Sequence, residues 1–234
     1  MHIDIEIYLH YCPVKVDSSE KRHKKKQKEQ RSREKDWKGK LIGAGMEKGA
    51  AGELVKIMTE AQKHMNRKIY IANQELSLVE YCPYIDDKSH YECWQDPTTQ
   101  DGYNYKMCDS LEEFCERPTR SRLLAVILRK EDNQPLGIVS LSPEGAPPDL
   151  AIMLYKPYRG QGYGTNAFSL AAKYCFEAFG FDSLYAGCYE TNEISRKMLE
   201  ACGFIPNPDG DSHETHYITG KPIIQHDYVL YKQT

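Results

Sequence analysis

The stretch YKPYRGQGYGTNAF (155–168) sets three glycines within five residues between an apolar run, DLAIMLY (149–155), and a segment of helical periodicity, TNAFSLAAKYCFEAFG (165–180). A strand, a glycine turn and a helix in direct succession leave few folds open. Arg159, Gly162 and Gly164 give the spacing R-x-x-G-x-G. In such a turn the successive N–H groups of Arg159, Gly160, Gln161, Gly162, Tyr163, Gly164 and Thr165 can converge on an anion, and the helix that follows adds its positive end. Glycine lets a diphosphate lie against the main chain itself, and Arg159 could add a bidentate charge-assisted contact. The functional reading is a diphosphate loop; the plain one is a structural turn. No Lys follows Gly164, which excludes a P-loop. A dinucleotide fingerprint belongs in a first βα turn, whereas this loop comes late, after a hairpin pattern.

That hairpin is RLLAVILRK (122–130) and LGIVSLS (136–142), joined by the turn EDNQP. LSLVEY reads as a strand and DDKSHYECWQD as a short helix. SLEEFCERP reads as a helix that Ser110 caps, with Glu113 at capping-box spacing. After the glycine loop and its helix come a strand, SLYAGCYE, a helix, NEISRKMLEACG, and two strands near HYITG and IIQHDYVLYK. Antiparallel strands followed by strand–helix–strand–helix–strand predict an α+β sheet with at least one parallel pair. The first 75 residues have another texture. Ile3, Ile5, Ile7 and Leu9 alternate as in a half-buried strand; GKLIGAGMEKGAAG (39–52) reads as a turn or linker; Leu54, Ile57, Met58, Ala61 and Met65 mark one face of a helix over 53–67. The expected organisation is an extension over 1–75 and a main domain over 76–234.

The chain of 234 residues carries a net charge of −3, but residues 20–40 hold eleven Lys/Arg against four acids, so the remainder is −10. The basic run is a solvated helix or arm, or a contact for RNA, the ribosome or another polyanion. A start that alternates Ile with acids is not a signal peptide, and no apolar run reaches the ~20 residues that span a bilayer. A cytoplasmic protein without membrane contact is expected. The eight cysteines include no CxxC pair, and neither His213/His216 nor His90/Cys93 has a second ligand pair, so no metal is expected.

YKPYRGQGYGTNAF resembles the pyrophosphate loop of the GNAT superfamily of N-acetyltransferases, and NEISRKMLEACGF (192–204) resembles its second signature, N-x-x-S-x-x-x-(L/Y)-E-x-x-G-F. The resemblance covers about 76–234 and leans toward the RimJ/RimL-like branch, which contains ribosomal-protein N-terminal acetyltransferases. It implies a mostly antiparallel central sheet flanked by helices, with acetyl-CoA as co-substrate and an amine as acceptor. It also implies backbone donation to the thioester from near Leu154 and Tyr155, on a splayed or bulged strand, and cofactor contacts from Asn192 and Ser195. An acid at the start of that strand serves relatives as general base, and the matching residue is Asp149; Glu190 is the second candidate. The signature position that often supplies a Tyr acid is Leu199 here, which leaves Ser195 as the matching donor to the departing thiolate. Tyr81, Tyr84, Tyr91, Tyr103 and Tyr105 fall in the segment that covers the acceptor site in relatives.

Acetyl transfer needs a neutral amine, while a Lys-like amine has a pKa near 10.4, so a base must take a proton. The carbonyl oxygen needs a donor as charge develops on it. No Cys sits in a nucleophile constellation, so direct attack in a ternary complex is expected rather than an acyl-enzyme. The −10 outside the basic segment favours a cationic acceptor. The competing reading is a non-catalytic acyl-CoA-binding module tethered by residues 20–40. A homodimer is compatible with either.

Overall fold

The computed structural model describes residues 31–32, 34–55 and 67–233, apart from the Tyr84 side chain. The expected strand over 3–9 lies outside them, as do residues 20–30 of the basic run and most of the helix expected over 53–67. Residues 2–66 and Arg67–Thr234 form two compact units.

In the first unit residues 34–43 and 48–55 are helical. The expected turn or linker over 39–52 is thus a helix end, a two-residue turn at Ala44–Gly45 and a helix start. Gly45, at φ +92°, ends the first helix. Its N–H donates to Ile42 O at 3.0 Å and that of Met46 to Leu41 O at 3.1 Å, a Schellman pair. Of the glycines in this stretch, Gly45 serves helix termination.

The second unit begins with β1 (Ile69–Ala72), ahead of the expected start at 76, and continues with β2 (Leu76–Glu80). Three helices follow: α1 (Pro83–Trp94), α2 (Pro97–Tyr103) and α3 (Leu111–Glu116). Ser110 caps α3, its hydroxyl accepting from Glu113 N–H at 3.1 Å. β3 (Ser121–Arg129), β4 (Gln134–Pro143) and β5 (Leu150–Leu154) complete an antiparallel sheet in the order β1-β2-β3-β4-β5. The glycine loop then leads into α4 (Tyr163–Phe179), which ends at Gly180 with φ +70°. β6 (Ser183–Tyr189), α5 (Glu193–Ala201), β7 (Ile205–Pro206), β8 (Ser212–Thr215) and β9 (Pro222–Tyr231) close the chain. The second sheet runs β6-β9-β7, with β8 also on β9. HYITG, expected as a strand, is mostly the turn between β8 and β9, where Gly220 takes φ +66°.

Alternation along each strand separates two faces. Leu150, Ile152 and Leu154 of β5, Leu184, Ala186 and Cys188 of β6, and Tyr228 and Leu230 of β9 pack into one core with Ala167, Phe168 and Ala171 of α4. Met153 and Tyr155 turn the other way, into a second cluster with Val79, Cys93 and Val126. Asp149, Gly187, Tyr189 and Asp227 therefore lie on the face opposite α4. The expected parallel pair is present but minimal: Asp149 and Tyr185 form one isolated parallel bridge, with Tyr185 N–H donating to Pro148 O at 2.9 Å. Past that point β5 and β6 belong to different sheets and part.

Candidate active site

The parting of β5 from β6 exposes a strand edge whose polar groups can be traced one by one. Ser142 N–H donates to Asp149 O at 2.9 Å, and Tyr155 N–H to Leu136 O at 2.8 Å. Between these pairs the register runs Ser140↔Ala151 and Ile138↔Met153. An antiparallel ladder alternates, so the N–H and C=O of Ile152 and Leu154 turn away from β4, into the gap. Both carbonyls there are occupied. Tyr103 Oη donates to Ile152 O at 2.8 Å, and Arg159 Nε donates to Leu154 O at 2.9 Å. The two amides have no partner among the described residues. Leu154 thus offers a donor to the gap, whereas the expected donor at Tyr155 is spent on β4. No bulge interrupts the β4–β5 register; the open edge comes from splaying.

The glycine loop sits at the end of this edge. A 3₁₀ turn over Lys156–Tyr158 leads to Arg159, and Gly160 and Gly162 take φ +72° and +84°. A Cβ at either glycine would meet nothing within 4 Å. The left-handed backbone, rather than crowding, requires glycine there, and the space beside the loop is open. The first backbone bond into α4 is Asn166 N–H to Gly162 O at 3.2 Å. The N–H groups of residues 160–165 donate to nothing among the described residues. At Gly164 a Cβ would make ordinary contact with Met198 Sδ at 3.4 Å and Leu154 Cδ1 at 3.6 Å. Gln161 Nε2 donates to Pro157 O at 2.8 Å, and Tyr163 Oη accepts from Arg129 Nη1 at 3.2 Å.

Arg159 departs from the expectation of a diphosphate contact. Its Nη1 meets Asp96 Oδ2 at 2.7 Å, its Nη2 donates to Thr99 Oγ1 at 2.8 Å, and its Nε holds Leu154 O. The guanidinium is a clamp between β5 and α2, and its directional donors are engaged within the protein. Burial works against ionisation of Asp96, but the Thr98 amide and Arg159 outweigh it and hold this carboxyl below its ordinary value.

On the far side of the gap Asn192 caps α5, its Oδ1 accepting from Ser195 N–H at 3.1 Å. The Ser195 hydroxyl has no hydrogen-bond partner among the described residues. Leu199 is 2% exposed, in the core, so the position that often carries a Tyr holds no hydroxyl. Glu190 is exposed and accepts from Ile224 N–H at 3.1 Å, closing the edge of β9.

Asp149 sits where the two strands begin to separate. Its carboxylate accepts no hydrogen bond among the described residues. Burial, and then the charge of Asp227, push its carboxyl up to about 7. Sequence reasoning missed other polar residues on this face and beside it. Asp227 faces the same side from β9, with Asn207 Nδ2 donating to its Oδ2 at 2.6 Å. Tyr189 Oη donates to Glu214 Oε2 at 2.8 Å, and Asn104 Nδ2 reaches the same oxygen at 3.2 Å. The missed signals were an Asp inside a strand, where the residue is disfavoured, and the Asp96-Pro97 start of α2, where Asp96 accepts from Thr98 N–H and Pro97 stands at the first helical position. Of the tyrosine cluster, Tyr103 reaches the gap. Tyr81 Oη donates to Asp87 and Tyr91 Oη to Asp109 O, while Tyr105 Oη accepts from Arg117.

With an open glycine loop beside an open strand edge, the chain matches the family described as "Acetyltransferase (GNAT) domain" over residues 46–205. It belongs to that family. No curated relative matches it. Among solved structures it is similar to spermidine N-acetyltransferase from Vibrio cholerae, in complex with CoA and spermine. The TM-score is 0.59 at 17% identity, over 68% of this chain and 96% of that one. It is also similar to the ribosomal L7/L12 α-N-protein acetyltransferase RimL in complex with coenzyme A, with TM-score 0.57 at 14% identity over 70% and 98% of the chains. A third is a GNAT-family acetyltransferase from Bacillus anthracis, with TM-score 0.58 at 14% identity over 69% and 97%. These likenesses are of fold.

Among the described residues no helix is long and apolar enough to cross a membrane, and no group of three or more His, Cys, Asp or Glu could hold a metal ion. His90 and Cys93 are engaged otherwise: His90 bridges Tyr81 and Trp94, and Cys93 Sγ lies 3.6 Å from Leu154 O.

Proposed function

We propose that the protein transfers an acetyl group from acetyl-CoA to a primary amine by direct attack within a ternary complex. The observation that carries this is two sets of unpartnered main-chain donors, Ile152 and Leu154 on the strand edge and residues 160–165 in the loop, with the raised carboxyl of Asp149 at the start of the same strand. Acetyl-CoA supplies an activated acyl group and a thiolate leaving group. The amides of 160–165, at the positive end of α4, would hold the diphosphate. The amides of Ile152 and Leu154 would orient the pantetheine arm and stabilise charge at the thioester oxygen. Asp149 would accept the proton of the acceptor ammonium, and Ser195 would donate toward the sulfur. Net acidity outside residues 20–40 suits a cationic acceptor. A module that binds acyl-CoA without turnover would have no use for a half-buried carboxyl that lacks every hydrogen-bond donor.

Thiol release from acetyl-CoA, measured against a panel of primary amines, tests the reading. Asp149→Asn should lower kcat/KM about 10²–10³-fold while leaving CoA affinity within a few-fold. The sign of its stability effect is also fixed. A carboxyl raised to about 7 costs folding free energy as pH rises from its unfolded value through 7. Asp149→Asn should therefore melt above the parent at pH 8, by an amount that vanishes near pH 4. Binding of CoA with no turnover on any amine would refute the proposal.

A further inference from the structure

Asp149 is not the only carboxylate on its face. The β6–β9 register sets Asp227 opposite Gly187, and the β5–β6 bridge sets Asp149 opposite Tyr185, two residues earlier on the same face of β6. On that face β6 presents Tyr185 and Gly187 between the two strands that carry the acids. The Gln225 side chain lies over Gly187, where an added Cβ would be 2.9 Å from its Nε2, and a Cβ at Gly210 would collide with the Asp227 carboxylate. Asp227 is fixed in place. Asn207 Nδ2 donates to its Oδ2 at 2.6 Å, and its main-chain N–H donates to Asp211 Oδ1 at 2.9 Å. Neither oxygen of Asp149 has a hydrogen-bond partner among the described residues.

We propose that Asp227 is a positioning residue for the base: a second carboxylate across Gly187 whose charge decides when Asp149 takes a proton from the acceptor amine. The inference rests on the acetyltransferase reading of the site. In the step concerned one N–H bond of the acceptor ammonium breaks, its proton bonds to a carboxylate oxygen of Asp149, and the electron pair stays on nitrogen for attack. An isolated carboxylate of ordinary basicity would return that proton at once. A neighbouring negative charge makes its retention less costly. Tyr185 faces the same side from β6, as does Tyr189, whose hydroxyl donates to Glu214 Oε2 at 2.8 Å. Tyr103, from α2, is held neutral by burial and directs its hydroxyl to Ile152 O. Asp211 lies beside Asp227 and is paired with His226 at 2.9 Å. Burial and the charge of Asp211 raise the Asp227 carboxyl as well, against the pull of Asn207.

The test is the pH profile of kcat/KM in the full chain. With Asp227→Asn the acid limb, near pH 7 in the parent, should move down by about one pH unit, while CoA affinity by calorimetry stays within a few-fold. Asp227→Glu should restore the limb. Asp227→Ser, which relieves the contact with Gly210, gives a second neutral variant if the asparagine disturbs folding. Carboxyl-carbon NMR titration of Asp149 in the same variants reads the coupling without turnover. A parent that acetylates no amine would sink the functional reading, and the titration would still decide on Asp227. A limb and a titration midpoint that stay put in both neutral variants overturn the proposal, as does a pH-independent fall in rate.

Discussion

Replacing Arg159 with Met separates two accounts of the signature arginine. In the structure it binds Leu154 O, Asp96 and Thr99 at 2.9, 2.7 and 2.8 Å. The Asp96 side chain is only 10% exposed, whereas that of Arg159 is 29% exposed. Breaking a fully buried pair costs about 3–5 kcal/mol because one charge is left stranded. Exposure on the arginine side reduces this to about 2–3 kcal/mol. For a chain of this size that corresponds to a fall of roughly 4–12 °C in Tm. Asp96→Asn should reproduce much of the loss, and the double variant should fall short of the sum of the singles, because both remove one interaction. CoA affinity, measured by calorimetry well below the lowered Tm, should change less than about tenfold. A direct charge-assisted contact to a diphosphate would be worth about 1.5–3 kcal/mol, or roughly 10–150-fold. An Arg159→Met variant that melts like the parent yet loses more than 100-fold in CoA affinity would refute the clamp and restore the arginine to the diphosphate.

Two further outcomes follow from single positions. Gly162→Ala puts a Cβ on a backbone at φ +84° and should cost about 1–2 kcal/mol of stability; because the Cβ projects into open space, CoA affinity should fall as well, which melts and calorimetry on one preparation would show together. His90 is the second. Trp94 Nε1 donates to its Nε2 at 3.2 Å, and its Nδ1 lies 3.1 Å from Tyr81 Oη, while burial lowers it to about 4. The unfolded chain binds the extra proton between about 6.5 and 4, so this contribution to stability is full above pH 6.5 and lost as pH falls through 4. Urea melts should lose about 3 kcal/mol over that window, and His90→Phe should flatten the dependence.

How far the sequence could be read depended on whether a signal was local. Gly180 after α4, Ser110 before α3 and the 122–142 hairpin are each specified within a few residues, and the structure has all of them. The glycine loop was legible for the same reason, since left-handed backbone at 160 and 162 is a local demand. Arg159 was not, because its partners, Asp96 and Thr99, come from a helix more than fifty residues earlier that no strong apolar period announces. Asp227 failed likewise: its meaning depends on a register with Gly187 and on a bridge at Tyr185, both set by tertiary pairing. HYITG misled because β-branched and aromatic residues favour strands even where Gly220 forces a turn.

The open edge of β5 shows why such a site cannot be found residue by residue. Nothing in Leu-Ala-Ile-Met-Leu marks an amide as free; any strand of that composition would normally pair on both sides. The amides of Ile152 and Leu154 remain open because β6 joins β5 at a single bridge and then turns to β9. Tyr103 and Arg159 meanwhile cover the two carbonyls that would otherwise face the gap. With the acceptors covered and the donors exposed, the edge has one polarity, and a second strand, which needs both, cannot complete it. What can fill it is a ligand with acceptor oxygens spaced along an extended chain, and the pantetheine arm with its thioester has that form. Tyr103→Phe tests the point directly. It uncovers the Ile152 carbonyl without touching an amide, so it should weaken acetyl-CoA binding several-fold and leave the binding of a nucleotide that reaches only the loop unchanged. Equal weakening of both ligands would show that the strand edge and the diphosphate loop are not the separate elements described above.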